Sequence, residues 1–169
     1  MELFPPNNCI FDRSRTVAFT GHRASSLPWG GDERSEGCIK LKQALEKAIC
    51  SAYREGKRVF LSGMAGGFDI YAAETVLALR EKLPGIRLVC VFPCPSDDRR
   101  SLAAASRAGA SICLCNEFTA GCMLSRNRFL VEHSSLIIAC YDGRLEGGTY
   151  WTLKLAVESG LRVVLMGLF

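Results

Sequence analysis

The sequence predicts an α/β domain of Rossmann-like architecture. It is a three-layer sandwich, with a mainly parallel sheet of about six strands and helices on both faces. Two observations predict it. Apolar runs of strand length recur along the chain without alternating cleanly with polar residues, as strands buried on both faces require. Segments of helical character separate each run from the next, and this alternation marks a sheet whose strands are joined by crossover helices.

The stretch 1–15 opens MELFPPNNC, with an early glutamate and two prolines. It reads as a short lead-in, lacking the basic start and apolar core of a secretory signal. TVAFT (16–20) is the first strand, and a helix is expected over 37–55. RVFLS (58–62) follows, then a helix over 69–82 with Ile70, Ala73 and Leu77 on its core face. RLVCVF (87–92) precedes a helix over 96–108. SICLC (111–115) is a strand on which Cys113 and Cys115 point the same way. A helix over 122–133 buries Met123, Leu124, Leu130 and Val131. SLIIAC (135–140), a helix over 148–159 facing the core with Leu153, Ala156 and Val157, and RVVLM (162–166) complete the series. No linker interrupts it, so residues 16–169 form a single domain.

Composition narrows the function classes. The 169 residues are 49% hydrophobic and 22% charged, which suits a globular domain. No apolar run approaches the roughly 18–20 residues of a membrane helix, so no membrane partner is expected. The net charge is +4, and the basic residues are scattered, whereas a nucleic-acid surface clusters them. Nine cysteines contain no CxxC pair, and the two histidines, His22 and His133, show no ligand spacing. Reduced thiols in a cytoplasmic protein without metal or cofactor are the expectation.

In an open parallel sheet, ligands bind outside the carboxyl ends of the strands, so the loops after strands are read together. After the first strand, Gly21, His22 and Arg23 begin a stretch reaching to about residue 36. That is long beside the usual loop of about 2–6 residues. After the second strand comes SGMAGGFDIYAAE (62–74). Ser62, Gly63, Gly66 and Gly67 let the backbone pass close to a bound group. Asp69 is placed to cap the next helix, whose free N–H groups favour an anion. Glu74 lies about a turn further on. After the fifth strand, Gly147 and Gly148 lead into a helix with Thr149 and Thr152 in its first turns. Two such helix starts on one sheet edge suit a phosphorylated ligand.

On the helix before the fifth strand, Asn127 falls within the apolar face, flanked by Arg126 and Arg128. A buried amide there needs a partner, and an arginine beside it can reach a phosphate or sugar. Trp151 and Leu155 lie on the side of the last helix away from its core face and point to a homodimer.

Taken in order, TGHR, SGMAGGFDIYAAE, SRNRFLVEHSSLIIACYDG and GGTYWTLKLA resemble the SLOG superfamily. Within it, the likeness is to the small YpsA-like bacterial proteins, over about residues 16–166. The resemblance implies a Rossmann-like sheet that binds nucleotides or nucleotide-derived ligands. Relatives include the LOG enzymes, which cleave the base from nucleoside 5′-monophosphates, and the DNA-processing protein DprA. Arg126 matches the LOG arginine, and Gly147 and Gly148 match the paired glycines of PGGxGTxxE. Glu146 replaces the proline. The catalytic glutamate has no counterpart, and Lys154 lies nearby, which leaves Glu74 or Glu146 as substitutes. The expected function is therefore binding of a nucleotide or nucleotide-derived phosphorylated ligand, as a sensor. An N-glycosidase acting on nucleoside 5′-monophosphates, with Arg126 and Glu74 as catalytic candidates, is one alternative. A DprA-like module binding single-stranded DNA is the other, against which the scattered basic residues speak.

Overall fold

The computed structural model describes residues 2–3 and 11–168. Pro5, Pro6 and Cys9 of the lead-in lie outside the described residues. The strands are β1 (Glu2–Leu3), β2 (Thr16–Gly21), β3 (Val59–Ser62), β4 (Arg87–Phe92), β5 (Ala110–Cys113), β6 (Leu136–Cys140) and β7 (Arg162–Met166). The helices are α1 (Glu36–Arg54), α2 (Phe68–Ala78), α3 (Arg99–Ala108), α4 (Cys122–Glu132) and α5 (Gly147–Glu158). All strands pair in parallel, in the order β1-β5-β4-β3-β2-β6-β7. Six of them are the strands predicted. The seventh, β1, comes from the lead-in and pairs with β5 through Glu2 and Leu3.

The strand pattern explains the layers. Val17, Phe19, Phe60, Leu88, Cys90 and Ile138 point to one face and pack with α1, α2 and α3. Ala18, Leu61, Val89, Val91 and Ile137 point to the other, against α4 and α5. Both faces are apolar, so no strand shows polar alternation.

Local chemistry sets the helix ends. The Ser35 side chain accepts from the Cys38 N–H (3.2 Å) and starts α1, whose Leu41, Leu45 and Ile49 recur one turn apart and are buried. Asp98 accepts from the Ser101 N–H (2.7 Å) and caps α3, so this helix begins later than residue 96. Gly109, left-handed at φ 77°, ends it.

Three expectations are corrected here. Strand β5 stops at Cys113, and Cys115 lies beyond it, its N–H donating to the Pro93 carbonyl (3.1 Å). Leu124 and Val157 are exposed rather than packed inward, and Phe129 takes the buried place on α4. Both misreadings come from treating a helix at the protein surface as if its whole apolar set faced the sheet.

Candidate functional site

Strand order runs outward in both directions from the neighbours β2 and β6, so their carboxyl ends flank the crevice where an α/β sheet holds a ligand. A cavity of about 520 Å³ opens there, within the usual range of small-molecule sites. Gly21 at the end of β2, His22 and Arg23 after it, Asp69 on α2, Arg126 and Asn127 on α4, and Gly147, Gly148 and Thr149 on α5 all line it. Elements scattered from residue 21 to residue 149 thus meet at one place.

Two of the three glycines of SGMAGG, Gly63 and Gly67, serve the protein's own packing. A Cβ at Gly63 would lie 2.8 Å from the Arg126 guanidinium carbon. The Gly63 carbonyl accepts from that guanidinium. Gly67 has φ 99°, and a Cβ there would lie 2.7 Å from the His22 carbonyl oxygen. Next to it, the Phe68 N–H donates to that same carbonyl (3.1 Å). The start of α2 is therefore occupied by the loop after β2. Gly66 alone of the three has open space around it. Ser62 is also structural: its hydroxyl donates to the Asp69 carbonyl (2.8 Å) and accepts from the Met64 N–H (3.3 Å). None of Ser62, Gly63, Gly66 and Gly67 lines the cavity, whereas Ala65 does.

At the cavity's inner wall sits a buried pair. Arg126 is 7% exposed and Asp69 is 5% exposed. One guanidinium nitrogen lies 3.6 Å from Asp69 Oδ2. The Arg126 Nε–H donates to Asn127 Oδ1 (2.8 Å), so the interior amide orients the arginine. Asp69 does not cap α2: Gly67 holds that position, and Asp69 lies in the first turn. Its Oδ2 accepts from the Ala65 N–H (3.3 Å). Its Oδ1 is buried with no hydrogen-bond partner among the described residues. Burial raises the Asp69 carboxyl to about 6, against the opposing pull of Arg126. The same burial lowers the pKa of Arg126.

The other helix start is open. No side chain caps α5 among the described residues, and its first N–H groups have no intrahelical acceptor. Gly147, at φ 85°, makes the turn into it, and Thr149 stands buried beside them. Thr152 lies one turn deeper. Its hydroxyl donates to the Gly148 carbonyl (2.8 Å), so it supports the turn without lining the cavity.

Glu74 is elsewhere. It bonds Arg100 of α3 (2.7 Å), which also holds Glu33, on the helical layer away from the cavity. That removes it as a substitute for the missing LOG glutamate. Glu146 does line the cavity, at the N-cap of α5.

Sequence reasoning passed over Arg144. It lines the cavity and is held by Asp142 (2.7 Å), whose carboxyl that contact draws down to about 2. Asp142 also meets His22. Its backbone N–H lies 3.1 Å and its Oδ1 3.0 Å from His22 Nε2. A ring with its proton on Nδ1 accepts from the amide, and one protonated at Nε2 donates to the carboxylate. The signal for Arg144 was its place between a strand and an uncapped helix. Met123 also lines the cavity and supplies apolar wall. Among the described residues no group of three or more His, Cys, Asp or Glu has the arrangement of a metal site, and no helix is long and apolar enough to cross a membrane.

Comparison with known families decides the lineage. The model of the YspA SLOG family matches residues 17–162. The chain belongs to the YspA SLOG family. This family member is 23% identical to a UPF0398 protein of Bacillus licheniformis over 157 residues, 86% of this chain and 84% of that one. It is 23% identical to a UPF0398 protein of Halalkalibacterium halodurans over 152 residues, covering 84% and 80% of the two chains. A UPF0398 protein of Brevibacillus brevis is 25% identical over 138 residues, 75% of this chain and 73% of the relative. The matched span of the chain runs from β2 to β7 and so takes in every element that lines the cavity.

Proposed function

We propose that this protein binds a nucleotide or nucleotide-derived phosphorylated ligand in the cavity between the ends of β2 and β6, and acts as a sensor of it. The observation that carries the reading is the uncapped start of α5, which opens into the cavity and attracts an anion. Arg23 and Arg144 add positive charge at the rim, and Met123 with Leu130 gives a base an apolar wall.

The test uses Gly148→Asp. An added Cβ at Gly148 meets the Asn127 amide nitrogen at 3.6 Å, an ordinary contact. A carboxylate in the first turn favours the helix by about 0.3–1 kcal/mol, yet repels an anion from the same N–H groups. Thermal shift with nucleoside mono-, di- and triphosphates and nucleotide sugars should find a ligand that stabilises the wild type. The expected gain is about 2.7 kcal/mol at a hundred times its Kd. Gly148→Asp should fold and lose that gain. A flat response across the panel, or undiminished binding by the variant, refutes the reading.

A second reading, N-glycosidic cleavage of a nucleoside 5′-monophosphate, draws support from Asp69. A carboxyl that titrates near 6 inside the cavity fits the proton transfer or charge stabilisation such a reaction asks of the absent glutamate. Base release by wild type but not by Asp69→Asn would establish it, and absence of release across the panel would end it.

We also propose a homodimer through the outer surfaces of α4 and α5. Trp151 is 53% exposed and Leu124 54% exposed there. A shallow groove beside them is lined by Arg128, Lys154, Leu155 and Glu158. Both charge signs occur on this patch, so a two-fold axis can set Glu158 against Arg128 or Lys154 of a second copy. Light scattering should give a dimer for the wild type and a monomer for Trp151→Glu; a monomeric wild type refutes it. Among the described residues eight cysteines are unpaired, which supports the cytoplasm as the working compartment.

A further inference from the structure

The side chain of Asn127 has one end occupied and one end free. Its Oδ1 accepts from the Arg126 Nε–H (2.8 Å). A guanidinium only donates, so the amide atom it meets is the oxygen, and the NH2 group is turned the other way. That NH2 group donates to no protein atom among the described residues, although Asn127 is only 9% exposed. A donor so placed has lost part of its water, and a ligand oxygen can make up the loss.

Helix α5 shows where the free end lies. A Cβ built on Gly148 would stand 3.6 Å from Asn127 Nδ2, and both residues line the cavity. The free amide therefore adjoins the first turn of α5. The leading N–H groups there have no intrahelical acceptor and no side-chain cap among the described residues. Thr149, 8% exposed, lines the same corner. Its hydroxyl bonds no protein atom among the described residues, unlike that of Thr152, which donates to the Gly148 carbonyl. Backbone N–H groups and an amide NH2 only donate. The group that satisfies them together carries several oxygens that only accept. A phosphate does so, whereas a sugar hydroxyl or the edge of a base mixes donors with acceptors.

Arg126 is not the cation of this corner. Its Nε–H is taken by Asn127, and one of its terminal nitrogens donates to the Gly63 carbonyl and lies 3.6 Å from Asp69 Oδ2. We propose that Asn127 is the side-chain donor that makes the start of α5 select a phosphate group of the ligand, and that Arg126 is the positioning residue that holds its amide the right way round. The proposal rests on the reading of the cavity as the site of a phosphorylated ligand. If the amide turned over, its oxygen would face the phosphate and its NH2 group would face the guanidinium. Both contacts repel, so the Arg126 Nε–H locks the productive orientation. The phosphate charge is met by neutral donors and the helix dipole, with Arg23 and Arg144 at the exposed rim.

The experiment reads the amide itself. The chain has four asparagines, Asn7, Asn8, Asn116 and Asn127, so isotope-labelled asparagine gives a sparse set of side-chain NH2 signals by NMR. The Asn127 pair is assigned through its backbone, so the wild type decides the matter even where a variant fails to fold. The whole chain is titrated with inorganic phosphate, adenosine 5′-monophosphate and adenosine. Phosphate and the monophosphate should shift the Asn127 pair and leave that of the exposed Asn116 in place; adenosine should shift neither. Asn127→Asp keeps an oxygen for Arg126 and turns the donor into a repelling oxygen. It should fold with a urea midpoint close to wild type and bind phosphate about tenfold or more weakly by calorimetry, as loss of a hydrogen bond to a charged group implies. An Asn127 pair that stays put through the phosphate titration, an equal shift with adenosine, or undiminished phosphate affinity in Asn127→Asp would overturn the proposal. Nucleotides that stabilise the wild type while the Asn127 pair stays put overturn this proposal and leave the binding reading standing. Phosphate that moves the pair while every nucleotide stays without effect supports this proposal and refutes the binding reading.

Discussion

Gly67 and Gly66 are neighbours, and the structure predicts opposite responses to the same substitution. At Gly67 the backbone has φ 99° and ψ −127°, a region that side chains other than glycine enter at a cost of about 1–3 kcal/mol. A Cβ there would also stand 2.7 Å from the His22 carbonyl oxygen and 2.8 Å from the Arg23 carbonyl carbon. Those atoms belong to a backbone tied to Phe68, so they yield poorly, and overpacking of this kind costs about 1–3 kcal/mol. Gly67→Ala should therefore lose about 3–5 kcal/mol, a large share of the roughly 5–15 kcal/mol that holds a domain together. Gly66 has no positive φ and no atom within 4 Å of an added Cβ. Gly66→Ala should stay near wild type, or gain up to about 1 kcal/mol from a stiffer unfolded chain. Urea unfolding resolves the two easily: at roughly 2 kcal/mol per molar, Gly67→Ala moves the midpoint down by about 2 M. Equal midpoints for the two variants, or a loss below about 1 kcal/mol at Gly67, would refute the assignment of Gly67 to internal packing.

Gly63→Ala puts a methyl 2.8 Å from the Arg126 guanidinium carbon, and displacing that group from Asp69 should cost about 2–4 kcal/mol in urea unfolding. Burial holds the Asp69 carboxyl at about 6 in the folded state, against 3.8 for the same carboxyl free in water. The folded state thus holds this proton more tightly, and its contribution to stability falls as pH rises from about 4 to about 6 and is level above. The drop amounts to about 3 kcal/mol, and Asp69→Asn should remove it. The gap between variant and wild type, measured at pH 4 and pH 7, should shift in the variant's favour by about that much; an unchanged gap counts against the burial argument. Asp98→Ala, which strips the cap from α3, should cost about 1 kcal/mol, seen as a small fall in Tm.

Much of this was legible in the sequence because it rested on period and spacing. Six strands and five helices follow from apolar runs and the segments between them. The loops after strands converge because a parallel sheet puts them on one edge. What stayed hidden depended on partners brought in from afar. The run SGMAGG marks a close approach of the backbone, but nothing local says that Arg126 and the His22 carbonyl are what approaches. Glu74 sits a turn from Asp69, yet Arg100, on another helix, takes it away from the cavity. Arg144 looks like any loop arginine until Asp142 holds it at the rim. The strand β1 has only two residues, too short for any periodic signal.

The bond from Phe68 to the His22 carbonyl has a further consequence. It stitches the turn after β2 to the start of α2, so half of the cavity's mouth is cast with the fold itself. The other half, residues 143–146, is exposed and anchored chiefly by Asp142 and its contacts. Deliberate grafting has its room there: length and side chains can change along that rim while the scaffold beneath keeps its shape.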